Sequence, residues 1–190
     1  AVDVLSHELA KIAVVASEEE IRYRVHAALD RAHCMILDSA GVAPDARLPG
    51  TTVVFGLLLN HRLYVAGVGD SRAYLYRGEA LTRITTDHSW VEEQIERGMI
   101  TRDEAFRHPQ SNIITRALGT DPIPAPDLYV GSIEASDRYL LCSDGLTTHV
   151  SDEEIAERVG GEADLDAAAA GLVEAANREG GLDNITVLLV

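Results

Sequence analysis

A rapid succession of short apolar runs between residues 51 and 84 limits the possible folds more than any other feature of this sequence. Asn60-His61 and Gly78-Glu79 separate neighbouring runs, and connections this short join antiparallel strands. The first run is apolar at both alternating positions, which indicates a sheet covered on both faces. The predicted strands of this block are 51–59, 63–69, 72–77 and 81–84.

Helical patterns precede and follow the strand block. Apolar residues recur at helical spacing at the start of the chain, and Ser17 with Glu20 forms a capping box that opens a second helix. Ser151 with Glu154 opens another helix, and an Ala-rich helix follows it. Further strands are predicted at 128–131, 138–142 and 185–190. Helices on both sides of an antiparallel sheet predict an α+β layered sandwich.

Length, charge and cysteine content restrict the class of protein. The 190 residues fit one domain, spanning 1–190, with a sizeable core. The formal net charge of −15 argues against a nucleic acid or an anionic membrane surface as partner, and no apolar run is long enough to span a bilayer. Cys34 and Cys142 both stand in apolar surroundings, which predicts reduced core thiols in a cytoplasmic protein rather than a disulfide.

Three aspartates stand at the edges of predicted strands. Asp70 and Asp144 each follow a strand, and Asp183 precedes the last one. Because the end of one antiparallel strand and the start of its neighbour lie at the same sheet edge, the three carboxylates could converge. Crowded carboxylates repel one another unless a cation compensates, and hard divalent ions prefer oxygen ligands. A turn or a helix cap would explain each aspartate alone, so both interpretations remain open.

Other common catalytic arrangements find no support in the sequence. It contains no Gly-rich phosphate loop, no G-x-S-x-G nucleophile elbow and no H-x-x-x-H pair. Ser143 precedes Asp144-Gly145, but no histidine and acid can be assigned to it. A protein nucleophile is therefore unsupported, and water activated by a metal ion is the simplest remaining chemistry.

Five blocks of the sequence occur together in a fixed order. They are GTTVV, GVGDSRAYLYR, TTDHSWVEEQIERGMITRDEAFRHPQSNIITRALGT, LLCSDGLTTHVSDEEI and DNITVLLV. In this order and with this spacing, they resemble the metal-dependent protein phosphatases of type 2C in their bacterial form. The resemblance implies a four-layer αββα sandwich, in which two antiparallel sheets are flanked by helices, with a mobile flap at about residues 87–120.

The resemblance also implies roles for named residues. Asp144 and Asp183 correspond to ligands of paired Mg²⁺ or Mn²⁺ ions, and Asp70 would hold a weaker third ion together with Asp144. These ions would polarise a phosphate ester and activate a water that attacks phosphoserine or phosphothreonine. Asn184 is expected to orient Asp183 from outside the metal centre, although a purely structural role is equally compatible with the sequence. The substrates implied are proteins phosphorylated by a Ser/Thr kinase, and no catalytic side chain beyond the metal ligands is assigned.

The sequence departs from the family pattern at its start. Family members begin with two strands that carry a phosphate-binding arginine and an acidic residue, followed by a DG-x-GG-type turn whose aspartate bridges both ions. Nothing in this sequence matches that opening, and the first helical pattern starts at Ala1 without a capping residue. We therefore expect an N-terminally incomplete domain that binds metal weakly and has little phosphatase activity by itself.

Two further expectations follow from this departure. The alternative to an enzyme is a non-catalytic binding module with the phosphatase fold, which is disfavoured because such a module has no need to keep three repelling carboxylates. A sheet without its first strands would also expose an edge or an apolar face. We expect this edge to cause dimerisation or strand exchange.

Overall fold

The strands of the computed structural model form two antiparallel sheets within its described residues, 1–13, 16–39, 49–120 and 125–190. The strands are β1 (Val53–Leu59), β2 (Arg62–Val68), β3 (Arg72–Arg77), β4 (Ala80–Arg83), β5 (Asp127–Ser132), β6 (Arg138–Cys142) and β7 (Val187–Leu189). One sheet has three strands in the order β1-β2-β5, and the other has four in the order β4-β3-β6-β7. Each neighbouring pair is antiparallel. The short connections predict this correctly for β1 with β2 and for β3 with β4, whereas β2 and β3, which a short turn also joins, lie in different sheets.

Helices cover the outer faces of the two sheets. They are α1 (Val2–Leu9), α2 (Glu18–Ser39), α3 (Trp90–Glu96), α4 (Arg102–Phe106), α5 (Asp144–Thr147), α6 (Asp152–Gly161) and α7 (Leu165–Arg178). The pair α1 and α2 packs on the three-stranded sheet, whereas α5, α6 and α7 pack on the four-stranded sheet. The remaining helices, α3 and α4, lie in the insertion between β4 and β5.

Three buried apolar clusters hold these layers together. One lies beneath α1 and α2, one lies between the two sheets, and one lies beneath α5, α6 and α7. Alternation along each strand sends neighbouring side chains into different clusters. Representative members are Leu29 and Tyr64 in the first cluster, Val65 and Ala73 in the second, and Leu140 and Leu172 in the third. The predicted four-layer αββα sandwich is confirmed.

The apolar run of β1 is not buried as evenly as its composition suggests. Its sheet is covered on both faces, but the strand that lies deepest is β2, with Leu63 to Val68 all buried. β1 forms the edge of this sheet, and Leu58 is 59% exposed. The apolar sequence of β1 therefore predicts correctly that its sheet is covered on both faces. It does not predict which strand lies in the middle of the sheet, because that depends on the strand order.

The insertion between β4 and β5 contains the predicted flap at about residues 87–120. α3 begins at Trp90, because Ser89 is extended and its side chain accepts a backbone amide of the first turn. The returning chain runs beside the entry to the insertion, where Ile114 makes an antiparallel bridge to Ser89. The two residues before Ser89 therefore belong to the root of the flap.

One prediction about the cysteines is wrong. Cys142 is a buried thiol in β6, but Cys34 lies on the exposed side of α2 rather than in the core. Both are free, as predicted. The helices of the described ranges include none with the length and hydropathy that a membrane crossing requires.

Candidate metal centre

Asp70 lies in the tight turn between β2 and β3 and is 8% exposed. Gly69 makes this turn possible, because its φ is +108° and a Cβ there would lie 2.3 Å from Cγ2 of Thr52. The hydroxyls of Thr52 and Ser71 are hydrogen-bonded at 3.0 Å. The turn therefore holds Asp70 against the segment that leads into β1.

Asp144 is the first residue of α5, the single helical turn that follows β6. Gly145 packs directly against the loop before β7, since a Cβ on it would lie 2.5 Å from the carbonyl oxygen of Asn184. Only a residue without a side chain permits this approach. The close contact brings Asp144 to the loop that carries Asp183.

Ser143 joins these two segments by hydrogen bonds. Its Oγ donates to the carbonyl of Asn184 at 2.9 Å and accepts the amide of Thr186 at 3.0 Å. Its own amide donates to the carbonyl of Thr186 at 3.1 Å. The sequence assigns no such role to Ser143, and its position before Asp144 is the only signal that could have suggested one.

Asn184 contacts Asp183 through its backbone. The Asn184 amide donates to Oδ1 of Asp183 at 2.6 Å, and both residues are exposed. Any residue except proline could supply this amide. The expected orienting role of the Asn184 side chain therefore stays a prediction.

Electrostatic repulsion links the three aspartates in a row. Burial raises the pKa of Asp70 to about 6, and the negative charges of Asp144 and Asp87 contribute to this rise. Burial also raises the pKa of Asp144, and the charge of Asp183 adds to that effect. The charge of Asp144 therefore acts on Asp70, and the charge of Asp183 acts on Asp144.

The three aspartates do not form a single three-ligand group in the described residues. Across the described parts of the chain, no three His, Cys, Asp or Glu side chains are gathered closely enough to hold a single ion. The electrostatic coupling instead pairs Asp70 with Asp144 and Asp144 with Asp183. Mg²⁺ is usually held by one or two carboxylates, with water and substrate oxygens completing its shell. A divalent ion bound by Asp144 and a neighbouring aspartate would offset the repulsion between their charges.

Arg72 lies close enough to Asp70 and Asp144 for its charge to act on them, but its guanidinium is already paired with another carboxylate. Its guanidinium makes a bidentate ion pair with buried Asp87, with an Nη2–Oδ2 distance of 2.6 Å. It also donates to the hydroxyl of Tyr74 at 3.2 Å, and that hydroxyl donates to Asp152 at 2.8 Å. With its donors engaged in this way, Arg72 is not positioned as a free phosphate-binding arginine.

A polar cleft of about 490 Å³ lies beside the flap. It runs between α3 and the start of β5 and is lined by His88, Glu93, Arg116 and Asp127, among others. None of the three aspartates lines it. The cleft therefore adjoins the candidate metal centre without covering it.

Comparison with known sequences decides the family. The profile of the family described as Protein phosphatase 2C matches residues 17–185. The chain belongs to the protein phosphatase 2C family. The family predicted from the five sequence blocks is thereby confirmed.

The relatives of this phosphatase 2C chain are bacterial. It is 36% identical over 190 residues to the serine/threonine phosphatase stp of Listeria monocytogenes serovar 1/2a, a match that covers 100% of the chain and 75% of the relative. The crystal structure of the Mycobacterium tuberculosis serine/threonine phosphatase PstP/Ppp superposes with a TM-score of 0.89 at 37% identity, covering 99% of this chain and 77% of that one. A PstP catalytic domain in complex with two manganese ions gives a TM-score of 0.81 at 34% identity, covering 99% and 76%.

Proposed function

We propose that this phosphatase 2C domain hydrolyses phosphoserine and phosphothreonine in proteins, with Asp70, Asp144 and Asp183 as ligands of Mn²⁺ or Mg²⁺. Membership of a family of serine/threonine phosphatases supports the reaction. The observation that supports the site assignment is the close packing of the Asp144 turn on the loop that carries Asp183, together with the repulsion of Asp144 by Asp183 and of Asp70 by Asp144.

Asp144 would bind ions together with Asp183 and together with Asp70, and these ions would have different functions. Asp144 and Asp183 would hold the two ions of the catalytic centre, and Asp70 with Asp144 would hold a weaker third ion. Bound divalent ions would polarise the phosphate ester and lower the pKa of a bound water. Ser143 keeps the Asp144 and Asp183 segments together, and Gly69 and Gly145 allow the close backbone contacts that fix them.

Two potential nucleophiles at this place, Ser143 and Cys142, are already engaged or buried. The hydroxyl of Ser143 is engaged as both donor and acceptor with the backbone before β7. The thiol of Cys142 is buried, and burial raises its pKa to about 12. These two groups are therefore held inactive, which supports attack by water.

The substrates, the cellular location and the self-association of this domain can be proposed on the same grounds. The substrates would be proteins phosphorylated by a Ser/Thr kinase, because the Listeria relative is named a serine/threonine phosphatase. A cytoplasmic location agrees with the free thiol of Cys34, which is exposed on α2. Two chains would also associate through an exposed sheet edge.

A binding module with the same fold is the second candidate. It is favoured by one observation, that no three ligand side chains among the described residues gather closely enough to hold one ion. We propose accordingly that the single domain 1–190 binds its ions weakly and has low activity by itself. Residual activity that depends on the carboxylates would distinguish a weak enzyme from a binding module.

The test is manganese-dependent hydrolysis of a phosphothreonine peptide. Asp144→Asn should reduce the rate by at least about 100-fold, because removal of one group that stabilises transition-state charge commonly has an effect of this size. Asp30→Asn is the matched control, since Asp30 is exposed on α2 and has no ion pair among the described residues. Equal background rates for the unaltered chain and Asp144→Asn at saturating manganese would refute the enzyme and favour the module.

A further inference from the structure

The β6–β7 ladder changes its bonding where it reaches the candidate metal centre. Tyr139 and Val190 exchange both backbone hydrogen bonds, at 2.9 and 3.0 Å. Doubly bonded pairs recur at every second position of an antiparallel ladder, so Ser143 and Thr186 occupy such a position. The amide of Ser143 donates to the carbonyl of Thr186 at 3.1 Å, as this position requires. The amide of Thr186, however, donates to the hydroxyl of Ser143 instead of its carbonyl, at 3.0 Å.

The backbone of α5 explains this change of acceptor. The carbonyl of Ser143 accepts the amide of Leu146 at 3.1 Å, within the helical turn. The hydroxyl of Ser143 takes the place of the carbonyl in the ladder, and it also donates to the carbonyl of Asn184 at 2.9 Å. These two bonds hold the residues on both sides of Ile185, whose side chain packs on the cluster beneath α5, α6 and α7. The Ser143 side chain thus ends the ladder and fixes the chain that leads from Asp183.

His149 binds the same loop on the other side of Asp183. Its Nε2 accepts the amide of Leu182 at 3.4 Å, and the residue is partly buried. His149 follows α5 and Ser143 precedes it, so side chains from both ends of one helical turn reach the loop. Leu182 and Asn184 are the neighbours of Asp183, and each is bonded to one of these two side chains. The backbone around Asp183 is therefore held by groups that flank α5.

We propose that Ser143 and His149 anchor the Asp183 loop, residues 182–186, on α5. The anchor sets the distance between Asp144 and Asp183, and its two side chains are positioning residues, since they bind the loop backbone and not an ion. Ser143 directly precedes Asp144, and its hydroxyl binds the residue that follows Asp183, so a single hydroxyl bridges the two ligand-bearing segments. The effect on metal binding rests on the proposed ligand roles of the two aspartates, whereas the anchor does not.

The anchor is tested by amide hydrogen exchange on the chain without metal. Ser143→Ala removes the acceptor of the Thr186 amide, and the carbonyl of Ser143 is already bonded within α5. Exchange at Thr186 should therefore become about fivefold faster or more. Ser143→Thr retains the hydroxyl and should restore most of the protection. His149→Leu should accelerate exchange at Leu182, by a smaller factor because that hydrogen bond is longer.

Thr148→Ala is the matched control, because it removes an exposed hydroxyl from the same turn. It should leave exchange at Thr186 and Leu182 unchanged. Unchanged exchange at Thr186 in Ser143→Ala, or no rescue by Ser143→Thr, would overturn the anchor. Equal acceleration of the α2 amides in Ser143→Ala would indicate a general loss of stability and would also overturn it. Unchanged exchange at Leu182 in His149→Leu would exclude His149 from the anchor.

The effect on the metal centre is tested by calorimetric titration with Mn²⁺. Ser143→Ala should weaken the binding that depends on Asp183 by about tenfold, because groups that orient a metal ligand commonly change affinity by this factor or more. It should have no further effect in the Asp183→Asn background. An equal loss in both backgrounds would overturn the effect of the anchor on metal binding. If Asp183→Asn alone leaves Mn²⁺ binding unchanged, the ligand role of Asp183 fails, and the exchange experiment still decides whether the anchor exists.

Discussion

Asp70 carries an electrostatic penalty that an ion would remove. Its carboxyl is buried and faces the charges of Asp144 and Asp87, which together with burial raise its pKa from an ordinary 3.8 to about 6. Above that pH the metal-free fold contains a buried anion among other anions. This penalty is consistent with the proposed role of Asp70 as a ligand of a cation.

The raised pKa of Asp70 predicts how stability depends on pH. Because the folded-state value exceeds the unfolded one, the protonated carboxyl stabilises the fold below its ordinary pKa of 3.8, and this contribution is lost as the pH rises through about 6. Asp70→Asn cannot ionise and should therefore be more stable than the unaltered chain at neutral pH, by about 1–2 kcal/mol after solvent screening.

Urea unfolding of both metal-free proteins at a series of pH values measures this difference. The advantage of Asp70→Asn should grow as the pH rises, since only the unaltered chain must ionise the buried carboxyl. Saturating Mn²⁺ should reduce it, because the ion stabilises the ionised form of Asp70. Parallel stability profiles for the two proteins would contradict the prediction.

Gly145 provides a steric test of the same centre. A Cβ on Gly145 would lie 2.5 Å from a backbone carbonyl oxygen, so Gly145→Ala must separate α5 from the loop before β7. We expect the free energy of unfolding to fall by about 1–3 kcal/mol, the range for an overpacked contact. Gly161→Ala is the matched control, since a Cβ added at Gly161 would meet no atom within 4 Å. Thermal unfolding of the two variants measures the difference, and equal effects would contradict it.

Among the structural elements, the short strands lie close to where the sequence predicts them, whereas the short helix α5 was not predicted. The turn at Asn60-His61 is confirmed, with φ values of 52° and 58° typical of a two-residue hairpin. α5 contains four residues and is too short to show helical periodicity. β7 is shorter than predicted because the amide of Thr186 bonds to the hydroxyl of Ser143 instead of a strand carbonyl.

In the candidate site, the positions of residues along strands could be predicted from the sequence, and the contacts between distant segments could not. The placement of Asp70, Asp144 and Asp183 at strand ends could be predicted, because antiparallel topology fixes which strand ends share an edge. The roles of Ser143 and His149 could not, because each depends on contacts between segments far apart in sequence. Local patterns identify strands and caps, whereas the hydrogen bonds that join separate segments depend on the finished fold.

Two ion pairs connect α3 to β4 and to α4. The carboxylate of Glu92 is buried and contacts Arg83 of β4 at 2.9 Å and Arg102 of α4 at 3.0 Å. Glu92→Gln would leave the largely buried Arg83 guanidinium with weaker compensation. We expect the free energy of local opening in α3 and α4 to fall by about 1–3 kcal/mol, so that the amides of these helices exchange faster.

Hydrogen exchange of the flap amides measures this effect. Glu93→Gln is the matched control, because its contact with Arg97 is a partly exposed pair at 3.5 Å, of the kind that contributes little. Loosening of the flap in Glu92→Gln with unchanged α6 and α7 amides would locate the effect in the insertion. Uniform acceleration across the whole chain would instead indicate a general loss of stability.

For the whole molecule, two edge strands expose apolar side chains that point toward the space between the sheets. Leu58 of β1 pairs with Leu63, and Leu188 of β7 pairs with Leu141, whose side chains both belong to the cluster between the sheets. Leu58 is 59% and Leu188 is 54% exposed. Cross-strand partners point to the same face, so these two leucines extend the inner apolar layer beyond its covered part.

Exposed apolar side chains on unpaired strand edges favour association with another strand. A second copy of the chain could pair with β1 or β7 and cover Leu58 or Leu188. We therefore expect the average mass in solution to rise with protein concentration, and Leu58→Lys with Leu188→Lys to suppress that rise, because a charged residue at an edge opposes pairing. Leu182→Lys is the matched control, since Leu182 is 84% exposed in a loop and lies in no strand. Light scattering at increasing concentrations measures the mass, and a monomeric value throughout would contradict the expected association.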